Sequence, residues 1–330
     1  MKHSELLSRL LVITGILLII GALLYFWKNT FLIHARTAES GGWTPDIIQA
    51  QVGKPLRLKF TSDDVVHGFA VGQMDMQSVD ILPGKVAEIT LTFDKPGRYT
   101  FYCTRWCGLN HWRMRGTIEV SGIQQNPNPG AASELNKAKT PLYVSLGIDL
   151  DAQHEAPVIP DQKPSAMRGQ NLSTQLPVPY HLSSKAYQGH SPYEIFMKLK
   201  NISLSDEQRW DLVAYFWRSN ANAESLEDGK RLYSQNCAVC HGENGAGDGV
   251  YADQVAIEFG KDKSRMNDSR PSDFTNPMLM LGASPALLQG KILRGGMGTG
   301  MPMWGSIFTE DQIWNLVAYL YSFQFDYRLP

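Results

Sequence analysis

The chain has 330 residues, 43% of them hydrophobic, and its 31 basic and 32 acidic side chains leave a formal charge of −1. That balance gives no electrostatic case for nucleic acid binding, and the length allows two or three separately cored domains. The cysteines fall in two tight pairs, Cys103/Cys107 and Cys237/Cys240, each followed by a histidine. None is left over for a structural disulfide, so cysteine usage does not by itself report the compartment.

Residues 10–27 carry no charge, are rich in Leu and Ile, and end in Tyr25, Trp27 and Lys28. This suits a membrane-spanning helix with an aromatic interfacial end. The long apolar run and the poor cleavage site Ala35-Arg36-Thr37-Ala38 favour an uncleaved anchor over residues 1–30 rather than a signal peptide. Lys2 and Arg9 before the run and Lys28 and Arg36 after it do not settle orientation. One span can anchor a protein but cannot house an active site within the membrane.

Residues 44–121 read as a β-sandwich. Leu56, Leu58 and Phe60 alternate with Arg57 and Lys59; Ile89, Leu91 and Phe93 alternate with Glu88, Thr90 and Thr92. Period-2 runs of this kind mark half-buried strands. The turn signals Pro83-Gly84 and Asp94-Lys95-Pro96-Gly97 separate them, and a run from Gly116 to Val120 closes the series. Inside this region Cys103, Cys107, His111 and Met114 make a dense set of soft donors. Thiolate, imidazole and thioether favour copper over magnesium or calcium. A mononuclear blue-copper site needs one cysteine; the second points to two copper ions sharing two thiolates. A disulfide or a zinc knuckle is the bland alternative.

The stretch resembles the binuclear CuA loop of heme–copper oxidase subunit II, whose pattern is C-x-x-x-C-x-x-x-H-x-x-M, and the sandwich resembles the cupredoxin fold. The segment around His67, followed by Ile81-Leu82-Pro83-Gly84, resembles the part of that family which supplies the first copper histidine. The resemblance implies that Cys103 and Cys107 bridge both coppers. His67 and Met114 then complete one ion; His111 and the backbone carbonyl of Arg105 complete the other. Arg105 departs from the family, where many oxidases carry a glutamate that also contacts an interfacial magnesium; that contact is in doubt here, while a carbonyl ligand survives the change. Met74 and Met76 read as core or interface filler. A rigid sandwich around such a centre serves electron storage, and no open ligand position is left for a substrate.

Residues 122–140, rich in Pro, Asn, Gly, Ala and Lys, read as a linker. Residues 141–221 carry no cysteine, yet they end in a helix with a twin. Ser205-Asp206-Glu207-Gln208 and Thr309-Glu310-Asp311-Gln312 are both capping boxes. From their last residue onward Gln208/Gln312, Trp210/Trp314 and two Leu-Val-Ala-Tyr runs coincide, and a Ser-Pro pair precedes each copy. This internal repeat makes residues 141–221 a degenerate cytochrome c-like segment without a heme motif, a spacer or packing partner. A non-covalent heme on His154, His181 or His190 is the rival reading.

Residues 222–330 contain Cys237-Ala238-Val239-Cys240-His241, the C-x-x-C-H pattern of c-type heme attachment. Cys237 and Cys240 are placed for the thioethers and His241 for one face of the iron. Gly229 and Tyr233 resemble the small-then-aromatic contact that cytochrome c makes with its last helix, here the one carrying Tyr319. The sixth ligand is expected from the loop holding Met297, Met301 and Met303; Met301 is preferred because Met-Pro among glycines resembles the axial loop of cytochromes c. The Pro271 carbonyl is a further expectation, as acceptor for the ring N–H of His241.

The expected architecture is therefore multidomain: an N-terminal transmembrane helix, an all-β cupredoxin-like sandwich, and an all-α cytochrome c domain preceded by its degenerate relative. The resemblance implies the electron-entry subunit of a membrane heme–copper terminal oxidase, with no catalytic centre of its own. Its cofactors would be binuclear CuA and one covalent heme c. Its partners would be a polytopic catalytic subunit I and a donor such as a cytochrome c, with the redox domains on the outer face of the cytoplasmic membrane. The alternatives are the corresponding subunit of a CuA-containing nitric oxide reductase and a free-standing tethered carrier.

Overall fold

A computed structural model of the chain describes residues 12–19, 30–108, 110–122, 140–174, 182–259, 270–296 and 299–329. They divide between two compact units, Met1–Ala132 and Ser133–Pro330. Residues 12–19 are helical. No helix among the described residues is long and apolar enough to cross a membrane, and the rest of the expected span lies outside them.

The first unit is a two-sheet sandwich. Its strands are β1 (Thr30–Ala35), β2 (Trp43–Thr44), β3 (Ile47–Gln51), β4 (Leu56–Ser62), β5 (His67–Val71), β6 (Val79–Ile81), β7 (Ala87–Leu91), β8 (Gly97–Tyr102) and β9 (Arg115–Ser121). One sheet runs β2-β1-β4-β7 and the other β3-β9-β8-β5-β6. The alternation in β4 is realised as expected, with Leu56, Leu58 and Phe60 inward and Arg57 outward. Phe60, Phe69 and Phe101 meet across the sandwich, and Trp43 lies 5.8–6.1 Å from all three rings. Met74 and Met76 pack at the margin of this core.

The sandwich reaches back beyond residue 44. Strand β1 pairs in parallel with β4 along its whole length, Ile33 opposite Phe60, and Ile33 is fully buried. Nothing local marks this strand, because it follows directly on the apolar N-terminal run and its partner lies more than twenty residues later.

In the second unit both capping boxes form, each with the reciprocal pair of hydrogen bonds. They start the helices Asp206–Ser219 and Glu310–Leu320. Each of these is crossed by a partner helix at a glycine. In the helix Ala166–Ser173, a Cβ on Gly169 would sit 2.0 Å from the Asp211 carbonyl oxygen. In the helix Ala223–Asn236, a Cβ on Gly229 would sit 2.1 Å from the Asn315 carbonyl oxygen. Asp211 and Asn315 occupy matching places after Trp210 and Trp314. The residue before each glycine pins the crossing: Arg168 forks onto Asp211 at 2.7 and 2.8 Å, and Asn315 donates to Asp228 at 2.8 Å. The two copies use one crossing and fasten it with different chemistry.

The copies share a core. Trp217 and Tyr321, again matching positions, are both fully buried with ring centroids 5.9 Å apart. The C-terminal segment bridges to the first copy, where Asp326 N–H donates to Pro164 O and Ala166 N–H to Asp326 O. Residues 141–156, which have no visible periodicity, lie against the helices Pro277–Gly282 and Pro285–Arg294. There Ala156 N–H donates to Met278 O, and Arg294 forks onto Asp151 at 2.6 and 2.8 Å.

Candidate metal centres

The copper-type ligands lie at one end of the sandwich. His67 opens β5; Cys103 follows β8; Met114 precedes β9. The strands therefore fix three of the donors, while the loop between β8 and β9 brings Cys107 and His111. Among the described residues, His67, Cys103 and Cys107 form the cluster of possible metal donors, their ligand atoms within 4.8 Å of one another and all buried. The two Sγ atoms are 3.7 Å apart, far beyond a disulfide bond of ~2.05 Å. Met114 Sδ is 3.2 Å from Cys107 Sγ, and the Arg105 carbonyl oxygen is 3.1 Å from Cys103 Sγ. His111 Nδ1 is buried without a hydrogen-bond partner, and the His111 ring lies 4.8 Å from that of Trp106.

The charges agree with a metal pocket. A hydrogen bond from the Cys107 thiol holds Cys103 well below the ordinary thiol range, against burial and with help from His111 and His67. The same contact, with burial, pushes the Cys107 thiol up. An orphaned imidazole nitrogen beside two unbridged thiols and a thioether is a donor set that fits copper.

Residues not foreseen hold these donors in place. His67 turns Nδ1 toward Cys103 at 3.8 Å, while its Nε2 meets Asp64 Oδ1 at 2.7 Å. A carboxylate behind a ligating histidine fixes the ring's tautomer and orientation. Burial works to raise the Asp64 pKa, but hydrogen bonds from the Thr37 N–H, His67 and the Val65 N–H outweigh it and bring it to about 2. A depressed carboxylate contributes stability that is present above its unfolded value and lost as pH falls through its folded value. Acid unfolding of the metal-free chain should therefore show an Asp64-dependent loss between roughly pH 4 and pH 2, worth up to about 2 kcal/mol. Asp64→Asn should flatten that window, and an unchanged profile would refute the assignment. An acidic residue three places before a candidate histidine was the available sequence signal. Trp43 Nε1 donates to the Met114 carbonyl at 3.1 Å, for which the sequence held no signal.

In the second unit Cys237 caps the short helix Ala238–His241, so both cysteines and the histidine share one turn. Burial pushes the thiols up, Cys237 to about 12 and Cys240 to about 11. Burial also lowers the His241 pKa, favouring the neutral ring that a metal requires. Its Nδ1 faces the Ser272 carbonyl at 3.0 Å, not that of Pro271. The Pro271 oxygen instead lies against Gly247, 2.5 Å from where a Cβ would stand. Phe274 stacks on His241 with centroids 4.6 Å apart, and Tyr233, Tyr319 and Phe323 continue the aromatic wall. Two free thiols and a neutral, oriented imidazole against such a wall fit a covalently held heme. Met301 is half-buried in a loop closed by the Gly296 N–H on its own carbonyl, with Gly295 and Gly300 at positive φ. Met303 is exposed, and Met297 lies outside the described residues. Of the histidines considered for a second heme, His154 and His190 each direct Nδ1 to a local carbonyl oxygen; His181 lies outside the described residues.

Fold and site together define a cupredoxin-like sandwich followed by a helical cytochrome c domain. Residues 44–121 match the family model for the periplasmic domain of cytochrome c oxidase subunit II, and residues 226–324 match that for cytochrome c. Two cytochrome c oxidase subunits 2 of Thermus thermophilus are each 42% identical over 92 residues, 28% of this chain. The match spans 67% of the first relative and 54% of the second. Among solved structures, the periplasmic domain of subunit II of cytochrome oxidase from Bradyrhizobium japonicum is 21% identical. That alignment covers 32% of this chain and 88% of that one, with a TM-score of 0.25. The chain belongs to the cytochrome c oxidase subunit II family and carries a fused cytochrome c domain.

Proposed function

We propose that this chain is the electron-entry subunit of a membrane heme–copper terminal oxidase, passing electrons from a donor to a catalytic subunit that reduces oxygen to water. The observation that carries this reading is the set of two unbridged thiols, two imidazoles, a thioether and a carbonyl in the first unit, with His67, Cys103, Cys107 and Met114 buried, joined in one chain to a C-x-x-C-H turn. A copper pair and a c-type heme would supply reversible one-electron chemistry at these two places.

The residues divide the work as follows. Cys103 and Cys107 would bridge the coppers; His67 and Met114 would complete one ion, and His111 with the Arg105 carbonyl the other. The sandwich holds these donors from three strands, so little has to move between redox states. Cys237 and Cys240 would bind the porphyrin, His241 one face of the iron and Met301 the other. A thioether there would raise the potential and would leave no position for a diatomic ligand. Nothing in this set acts as a catalytic acid or base, so oxygen chemistry belongs to the partner subunit. Residues 10–27 would tether the chain to the cytoplasmic membrane with both units outside. Residues 141–221 would be a heme-less copy of the cytochrome domain, kept as a packing partner; the matched glycine crossings support this.

Metal analysis of the purified chain tests the reading: two coppers and one covalent heme per chain are expected, and a single zinc would sink it. Gly68 offers a sharper test within the fold. A Cβ there would lie 2.0 Å from Thr104 Oγ1 and 3.1 Å from the Arg105 backbone nitrogen. Gly68→Ala should therefore displace the ligand loop and lower retained copper after dialysis, with the heme content unchanged; full copper would refute it.

A further inference from the structure

We propose that Asp80 is a positioning residue for the copper centre, holding the Arg105 carbonyl in place through the Arg105 side chain. The inference rests on the copper reading above. Arg105 has two ends in use. Its carbonyl oxygen is 3.1 Å from Cys103 Sγ, while its guanidinium forks onto Asp80, Nε to Oδ1 and Nη2 to Oδ2, both at 2.8 Å. Asp80 lies in the middle of β6, opposite Gly68 and next to Ile81, which pairs with His67. The fork therefore ties the residue offering the carbonyl to the strand beside the first histidine.

Two more contacts fasten the same turn. Thr104 N–H donates to Gly68 O at 3.2 Å, and the Thr104 and Ser78 hydroxyls are hydrogen-bonded. Ser78 and Asp80 flank Val79, so β6 and the residue before it hold two consecutive loop residues. The Arg105 and Asp80 side chains are 58% and 44% exposed. A surface pair of that kind adds little to stability, but a two-pronged Arg–carboxylate contact fixes a plane and a direction. Direction is what a neutral carbonyl needs to reach a metal, since it has no charge to draw the ion in. The identity of residue 105 therefore matters to the copper site although its side chain never touches the metal. Lysine, a point charge on a flexible stem, could not replace it.

The test uses the full copper-loaded chain and compares Asp80→Ala, Arg105→Lys and the exchanged pair Asp80→Arg with Arg105→Asp. The unsubstituted chain must first show two coppers and a mixed-valence EPR signal; if it does not, the copper reading has failed and not this one. With that signal in hand, Asp80→Ala and Arg105→Lys are expected to keep the thermal midpoint while altering the copper hyperfine splitting. They should also release copper to a chelator about tenfold faster, and the exchanged pair should recover both properties. Hyperfine splitting and release unchanged in Asp80→Ala would overturn the proposal.

Discussion

Replacing Cys107 with serine is expected to abolish the two-copper mixed-valence EPR signal and to leave the heme absorption spectrum intact. Cys107 Sγ stands between Cys103 Sγ at 3.7 Å and Met114 Sδ at 3.2 Å, so it links the thioether to the other thiol. A serine oxygen is a hard, weakly acidic donor with little affinity for copper beside thioether and imidazole. The heme turn belongs to a separate compact unit, so its spectrum serves as an internal control for folding. A retained two-copper signal would remove Cys107 from the ligand set. The corresponding Cys103→Ser change should be equally damaging, because Cys103 also faces His67 and the Arg105 carbonyl.

Alanine at either crossing glycine is expected to destabilise the second unit, by about 2–3 kcal/mol at each site. The sign is informative, because glycine to alanine inside a helix otherwise gains up to about 1 kcal/mol. Crowding wins here: the new carbon would stand 2.0 Å from Asp211 O at Gly169 and 2.1 Å from Asn315 O at Gly229. Both obstacles are backbone, and neither can turn aside as a side chain would. The thermal midpoint should fall by roughly 5–10 °C in each variant. For Gly169→Ala this loss would occur in the copy that has no heme motif, marking that copy as part of the unit's core. A midpoint raised by either substitution would show that the helices can separate freely.

What could be seen in the sequence was whatever chemistry keeps within a dozen residues. The soft donors from Cys103 to Met114, the C-x-x-C-H run and both capping boxes are local patterns; both boxes form, and Cys237, Cys240 and His241 share one turn. His67 lies far from that loop in the chain and was reached through resemblance. The parts that stayed hidden depend on distant pairing. Strand β1 is recognisable only beside β4. Ser272 replaces Pro271 as the partner of His241 because Pro271 is turned toward Gly247, a one-residue difference that composition cannot report. Gly169 carries no local signal, since what constrains it is the backbone of the Asp206–Ser219 helix packed against it. At Arg105 the sequence argument reaches only the carbonyl, which is indifferent to the side chain, whereas the fold ties the guanidinium to Asp80 by two bonds.

The central claim is that this chain feeds electrons to an oxygen-reducing subunit. It is tested most directly by purifying the native membrane complex through a tag on this chain and measuring turnover with oxygen and nitric oxide supplied separately. Co-purification of a polytopic heme–copper subunit, with rapid oxygen consumption and little nitric oxide reduction, is the predicted result. Rapid nitric oxide reduction with little oxygen consumption, or a chain that purifies alone and turns over neither gas, would contradict it.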